Sequence, residues 1–212
     1  MRSSDLILFL DLETSHLDPE RGRILELGAI LTDANLTELG RWASLFPRPP
    51  SVEMLSTVDM HRTSGLLAAL EQVSRPAPID DPPVAFYSAA LSEFERTLLR
   101  DLVDVHAVER LRLQLAGYSI HYDRSWLRGH MPTLDGWLSH RMIDVSTIRE
   151  LIRRWRPAAE PTDRVQAKHR ALADCEAARR ALGRYRDMLW PAPADTPHLE
   201  CPICVVVAGG GS

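Results

Sequence analysis

Three observations predict that this chain folds as an α/β domain on a mixed sheet. A continuous apolar run, Leu6-Ile7-Leu8-Phe9-Leu10, ends at Asp11, as a strand buried on both faces would. Two more strand-like segments follow across short turns, which makes an antiparallel meander. Beyond them, strand-like segments interleave with helical ones, the pattern of a sheet flanked by helices.

Taken in order, the turn Asp18-Pro19-Glu20-Arg21-Gly22 separates the first strand from a second over residues 24–32. Asp33-Ala34-Asn35 forms a short hairpin-like connection to a third strand over 36–46, which Pro47, Pro49 and Pro50 stop. Residues 51–73 read as two short helical pieces, and 75–83 as a proline-rich loop. In 86–105, Leu91, Phe94, Leu98, Leu102 and Val105 have helical spacing, with Glu95, Arg96, Arg100 and Asp101 facing out. Residues 111–116 alternate as a half-buried strand and run into Gly117. A helix is expected from about Asp123, then a short strand around Met142-Ile143. Next comes a helix over 146–155 that Ser146 would cap and Pro157 would close. A last helix spans 169–189, with Leu172, Cys175, Leu182, Tyr185 and Leu189 as its apolar stripe. Pro191, Pro193 and Pro197 end it, so residues 1–190 are expected to form the domain and 191–212 a proline-containing tail. Gly209-Gly210-Gly211-Ser212 reads as a linker with no part in the fold.

Composition narrows the function classes. At 212 residues, 45% hydrophobic and 25% charged, the chain suits one soluble domain with an ordinary core. No apolar run approaches the roughly 20 residues of a membrane span. The N-terminus lacks a basic-then-apolar signal, so the expected compartment is the cytoplasm, with no membrane partner. Three cysteines, Cys175, Cys201 and Cys204, are too few for a disulfide framework. A net charge of −4 argues against a long basic groove for nucleic acid, but not against a small pocket gripping few phosphates. His198, Cys201 and Cys204 have metal-like spacing, yet structural zinc wants four ligands, and no second C-x-x-C is present. Those three residues are read as part of an exposed tail.

The carboxylates carry the chemistry. Strand alternation puts Asp11 and Glu13 on one face, where both can reach one point. Two carboxylates that close repel unless a cation neutralises them, and oxygen ligands of this kind suit Mg²⁺ or Mn²⁺. By itself the triplet reads as a solvated strand end. Asp123 opens a helix after the strand that ends in Gly117-Tyr118-Ser119-Ile120; an acid there is also favoured by the helix dipole. His169 stands five residues before Asp174, so it must lie at or before the first turn of the last helix to face the same site.

Ordered segments decide between these readings. Asp11-Leu12-Glu13, Leu17-Asp18-Pro19-Glu20-Arg21 and Arg23-Ile24-Leu25-Glu26 resemble the opening of oligoribonucleases, members of the proofreading-type exonuclease superfamily. The resemblance continues at His61-Arg62-Thr63-Ser64-Gly65-Leu66, at Gly117-Tyr118-Ser119-Ile120 with Asp123-Arg124, and at Arg141-Met142-Ile143-Asp144-Val145-Ser146-Thr147. It takes in Glu150-Leu151 and Arg154-Trp155, and closes with His169, Ala171 and Asp174 plus Tyr185-Arg186. It implies a ribonuclease-H-like fold: a five-stranded mixed sheet, its first three strands antiparallel, flanked by helices. It also implies a homodimer that trims short single-stranded RNA, or DNA, from the 3′ end. The implied cofactors are two divalent metal ions, Mg²⁺ or Mn²⁺, held by Asp11, Glu13, Asp123 and Asp174, with His169 as the base. Leu17 would wedge beside the terminal base, His61 and Ser119 would line the site, and Arg141, Ser146 and Thr147 would cap the 5′ phosphate. A small capped pocket needs few cationic contacts, which accommodates the acidic net charge.

Departures from the family pattern cluster around the substrate. His16 replaces a glycine, Tyr118 an asparagine, Ser56 a tryptophan and His140 a tyrosine. The lost tryptophan removes a base-stacking platform of about 1–3 kcal/mol per base. Two alternatives stand beside the exoribonuclease: a DNA-trimming or proofreading-type exonuclease, and a nuclease fold retained only for binding.

Overall fold

A computed structural model describes residues 6–46, 58–73, 83–157 and 169–189. The element order is β1 (Ile7–Thr14), β2 (Ile24–Thr32), β3 (Glu38–Leu45), α1 (Val58–Thr63), α2 (Leu66–Val73), α3 (Pro83–Asp104), β4 (Leu113–Gly117), α4 (His121–His130), α5 (Pro132–Asp135), β5 (Leu138–Asp144), α6 (Val145–Trp155) and α7 (Ala171–Leu189). The strands form one five-stranded sheet in the order β3-β2-β1-β4-β5. β1 pairs antiparallel with β2, and β2 with β3, while β4 runs parallel to β1 and β5 parallel to β4. The mixed sheet with an antiparallel opening is therefore the fold the sequence predicts.

Side-chain alternation along the central strand divides the core. Leu8, Leu10 and Leu12 point to one face, where they meet Leu91, Leu98 and Leu102 of α3 and Trp126 and Leu127 of α4. Phe9 points to the other face, with Ile30 of β2, Val145 and Ile152 of α6, and Cys175, Ala178 and Ala181 of α7. The wholly buried β2 follows from its place between two strands and under helices on both faces. A smaller cluster of Leu25 with Leu66 and Leu70 docks α2 and thereby fixes α1.

Several expectations need correction. Pro83 opens α3 instead of ending a loop, and Val105 falls past the helix end, 70% exposed. Glu95, expected to face out, is buried and accepts a hydrogen bond from the Leu134 N–H at 2.7 Å. The backbone of α5 approaches α3 there, and a carboxylate satisfies an amide that would otherwise be orphaned. β3 starts at Glu38, because Asp33 Oδ1 accepts from the N–H groups of Asn35 and Thr37 and closes a turn, with Leu36 at φ 68°. Leu36 is instead buried beneath α7. β4 starts at Leu113, with Leu111 exposed before it. Asp144, not Ser146, caps α6: its Oδ1 accepts from Ser146 N at 2.8 Å and Thr147 N at 3.4 Å. The proline stop after β3, Ser56, the helical reading of 51–57, the 75–82 loop, the polar stretch 160–168 and the tail with His198, Cys201 and Cys204 lie outside the described residues. Among the described residues, no helix is long and apolar enough to cross a membrane.

Candidate active site

The site grows from the Phe9 face of β1, beyond the point where that face is apolar. Asp11 and Glu13 lie two and four residues past Phe9, so alternation aims them at α7. Register places Asp11 opposite Gly28 and Glu13 opposite Glu26 on β2. Gly28 admits the helix: a Cβ there would lie 2.4 Å from the Leu172 N and 2.5 Å from the Ala171 carbonyl carbon. The first turn of α7 can therefore rest on the sheet, which brings in Asp174. Cys175 follows it, its thiol donating to the Gly28 carbonyl at 3.2 Å.

Asp123 arrives from the opposite direction. β4 pairs with β1 only as far as Phe9↔Ala116, and the chain then turns at Tyr118-Ser119-Ile120 into α4. The Leu12 N–H, beyond that ladder, donates to Asp123 Oδ1 at 2.9 Å, so the carboxylate substitutes for a missing strand. His169 sits two residues before α7 at φ 51°, in the left-handed region. Ligand atoms of Glu13, His169 and Asp174 all lie within 4.8 Å of one another.

The electrostatics describe a centre short of positive charge. Burial first, then the neighbouring Asp123, Glu13 and Asp174, push the Asp11 carboxyl well above the usual carboxylate range. Burial and then Asp174 push Glu13 up to about 8, and burial pushes Asp123 up to about 7. His61 is fully buried; its Nε2 meets the Thr14 carbonyl at 2.8 Å and therefore carries the proton. That leaves Nδ1 without a hydrogen bond, 3.5 Å from Glu13 Oε2. Converging oxygen donors with one imidazole, and an orphaned buried ring nitrogen beside them, fit a hard divalent cation.

The remaining sequence-predicted residues separate into three places. Leu17 projects from the β1–β2 loop with 63% of its surface exposed. That loop is held by Ser15 N to the Arg23 carbonyl, by Tyr122 OH to the His16 carbonyl, and by His130 Nε2 at the Pro19 carbonyl. His16, where the family pattern has glycine, takes part: its Nδ1 accepts from the Asp18 N–H at 2.9 Å. Ser119, Ser146 and Thr147 gather where the β4–α4 turn meets α6. There the Ser119 N–H donates to Ser146 Oγ at 3.0 Å, and the two hydroxyls stand 3.3 Å apart. Arg141 lies elsewhere, lining a cavity of about 260 Å³ with Leu111, Arg112, Gln114, Ser139 and His140. Tyr118 packs into the α7 core instead of facing the site, and burial pushes its hydroxyl up to about 12. His61 contacts Glu13 and Thr14 and presents no open surface.

Sequence reasoning missed two residues. Gly28 is one, and its signal lies in the sequence, since an isolated glycine in a strand marks a close backbone approach. Asp144 is the other: it and Ser146 are both capping residues two positions apart, and Asp144 takes the cap.

The chain is 34% identical over 204 residues to an oligoribonuclease of Corynebacterium efficiens, covering 93% of this chain and 85% of that protein. It is 33% identical over 215 residues to one of Mycobacterium bovis, with 98% and 93% covered. An oligoribonuclease of Streptomyces coelicolor is 32% identical, with 97% of this chain and 100% of that one covered. No family model matches. Among solved structures, an exonuclease I from Methylocaldum szegediense aligns with TM-score 0.57 at 20% identity, over 88% of this chain and 41% of that one. The RNase domain of yeast Pop2 aligns with TM-score 0.58 at 15% identity, over 86% and 76%. This chain thus spans about two fifths of the exonuclease I chain, and these two likenesses speak for the fold alone. Nearly full-length identity above 30% to several bacterial proteins of one kind, over a fold and carboxylate cluster that agree with it, means that the chain belongs to the oligoribonuclease family.

Proposed function

We propose that the chain is a 3′–5′ exoribonuclease that degrades short single-stranded RNA to mononucleotides by phosphodiester hydrolysis. The observation that carries this is the convergence of Glu13, His169 and Asp174 within 4.8 Å, with Asp11 and Asp123 electrostatically joined to them. Asp11, Glu13, Asp123 and Asp174 would hold two divalent ions, Mg²⁺ or Mn²⁺, which when bound neutralise the carboxylates and polarise the phosphodiester. The His169 ring takes a proton from the attacking water, a role that its place beside Glu13 and Asp174 suits. Leu17 lies against the terminal base, Ser119, Ser146 and Thr147 offer hydroxyls to phosphate, and His61 closes the floor of the site behind Glu13, while Arg141 offers its charge to a 5′ phosphate from its own cavity. The catalytic unit is residues 1–190, acting as a cytoplasmic homodimer.

A second reading keeps the chemistry and relaxes the substrate to longer RNA or DNA. Ser56, Tyr118 and His140 favour it, since each stands where the family pattern has a different substrate-side residue. Cleavage of two-, five- and twenty-nucleotide RNA and DNA with Mg²⁺ and with Mn²⁺ separates the two. Preference for the RNA dinucleotide supports the first reading, and length-independent digestion of DNA supports the second. No cleavage of any substrate defeats both and leaves a nuclease fold used for binding.

A further inference from the structure

Glu26 looks, from register alone, like another ligand of the acidic centre. It lies directly opposite Glu13, on the same face, and is equally buried. Like charges so placed destabilise a sheet unless something intervenes. The structure supplies that something from α7. Arg170 Nη2 reaches Glu26 Oε1 at 3.0 Å and Arg170 Nε reaches Oε2 at 3.1 Å, a two-pronged pair. The same Oε2 accepts the Ala171 N–H at 3.1 Å, the first amide of the helix. Both oxygens of Glu26 are thus engaged in fastening the start of α7 to β2.

The residues on either side of this fastening are the ones the reaction needs. His169 precedes Arg170 directly and holds its left-handed turn, a costly conformation for a non-glycine residue that persists only where its surroundings impose it. Asp174 follows within the first helical turn, its N–H donating to the Arg170 carbonyl at 3.0 Å. Resting on the exoribonuclease reading above, we infer that Glu26 and Arg170 form a clamp that positions His169 and Asp174 against Glu13. They are positioning residues, which touch neither substrate nor reacting atoms. Both oxygens of Glu26 are taken up by the arginine fork and the Ala171 amide, and that engagement sets it apart from the metal-holding carboxylates.

The test is a double-mutant cycle. Arg170→Ala, His169→Ala and the pair are compared for dinucleotide RNA cleavage with Mn²⁺, with thermal midpoints recorded to establish the folded fraction. Arg170→Ala should lower kcat by about 10²-fold with KM changed less than ~3-fold, and adding it to His169→Ala should cost at least ~3-fold less than it does in the wild type, because the His169 share is already gone and only the Asp174 share is left. Hydrogen exchange in the metal-free protein gives a reading independent of activity. The amides of Ala171 to Asp174 should exchange at least ~10-fold faster in Arg170→Ala, with the amides of β2 unchanged. Arg170→Lys keeps the charge but not the fork, so it should recover only part of kcat, and it carries the test if Arg170→Ala does not fold. Wild-type kcat in folded Arg170→Ala, fully multiplicative losses in the double variant, or unchanged exchange at the start of α7 would each overturn the clamp. Wild-type kcat in His169→Ala would overturn the exoribonuclease mechanism instead, and the exchange measurement would still decide the clamp.

Discussion

On one side of β1, Leu8, Leu10 and Leu12 disappear into an apolar core with α3 and α4; on the other, Phe9 gives way to Asp11 and Glu13 beneath α7. A single strand thus supplies both the main core and the acidic centre, and the two differ in how they are held. The apolar face is held by many side chains that share one packed cluster, so its contribution is spread over the whole of it. The acidic face rests on a few specific contacts: Gly28 beneath Leu172, Asp123 on the Leu12 amide, and Glu26 on the start of α7. Damage to the first should therefore show mainly in stability, and damage to the second mainly in turnover.

The largest expected effect tests the acidic face. His169→Ala or Asp174→Asn should lower kcat by about 10²–10⁴-fold while the thermal midpoint moves little. Wild-type turnover in either variant would remove the proposed chemistry. Next, Leu10→Ala should cost about 2–5 kcal/mol in denaturant unfolding, with kcat of the folded enzyme retained. A large fall in kcat at full folding would mean that the two faces are not separable. Gly28→Ala stands between the faces. Its new methyl group meets the α7 backbone, so it should cost about 1–3 kcal/mol and also reduce activity. Unaltered kcat there would show that Asp174 does not depend on the close approach.

The smallest effect concerns pH in the metal-free protein. Glu13 rises from an ordinary 4.5 to about 8 and Asp123 from 3.8 to about 7, so the folded state retains protons that the unfolded chain releases. Their contribution to stability is fully present below about pH 4 and is lost as pH rises toward 8. Thermal midpoints should accordingly fall across that range without metal, and Mg²⁺ or Mn²⁺ should flatten the fall by neutralising the carboxylates. A midpoint that rises with pH in this window, or is indifferent to metal at pH 8, would contradict the described electrostatics.

Much of the fold was legible because it depends on local pattern. The bounds of β2 coincide with the strand expected from Ile24 to Thr32, since a strand paired on both sides and covered on both faces is apolar almost throughout, with Glu26 its one charged residue. Glu95 was misread for the opposite reason. A single carboxylate on a helix looks solvated until another element brings a free amide to it, and that amide, Leu134, lies 39 residues away. The cap of α6 was ambiguous because Asp144 and Ser146 are both good capping residues. Where β5 ends decided it, and strand ends are set by the neighbouring strand.

The candidate site divides along the same line. Strand periodicity by itself placed Asp11 and Glu13 on one face, and helix periodicity put His169 at or before the first turn of the helix that carries Asp174, which begins at Ala171. Family resemblance added Asp123 and the substrate residues. Only the tertiary structure decided that Asp123 completes the ladder of β1, that His61 is buried against Glu13, that Arg141 lies apart from Ser119 and Ser146, and that Glu26 fastens α7. Alternation and helical pitch are properties of the backbone within a few residues, so a sequence exposes them. Which distant amide, guanidinium or carboxylate fills a given hydrogen bond depends on how β1, β2, α4 and α7 pack together, and that is a property of the whole chain.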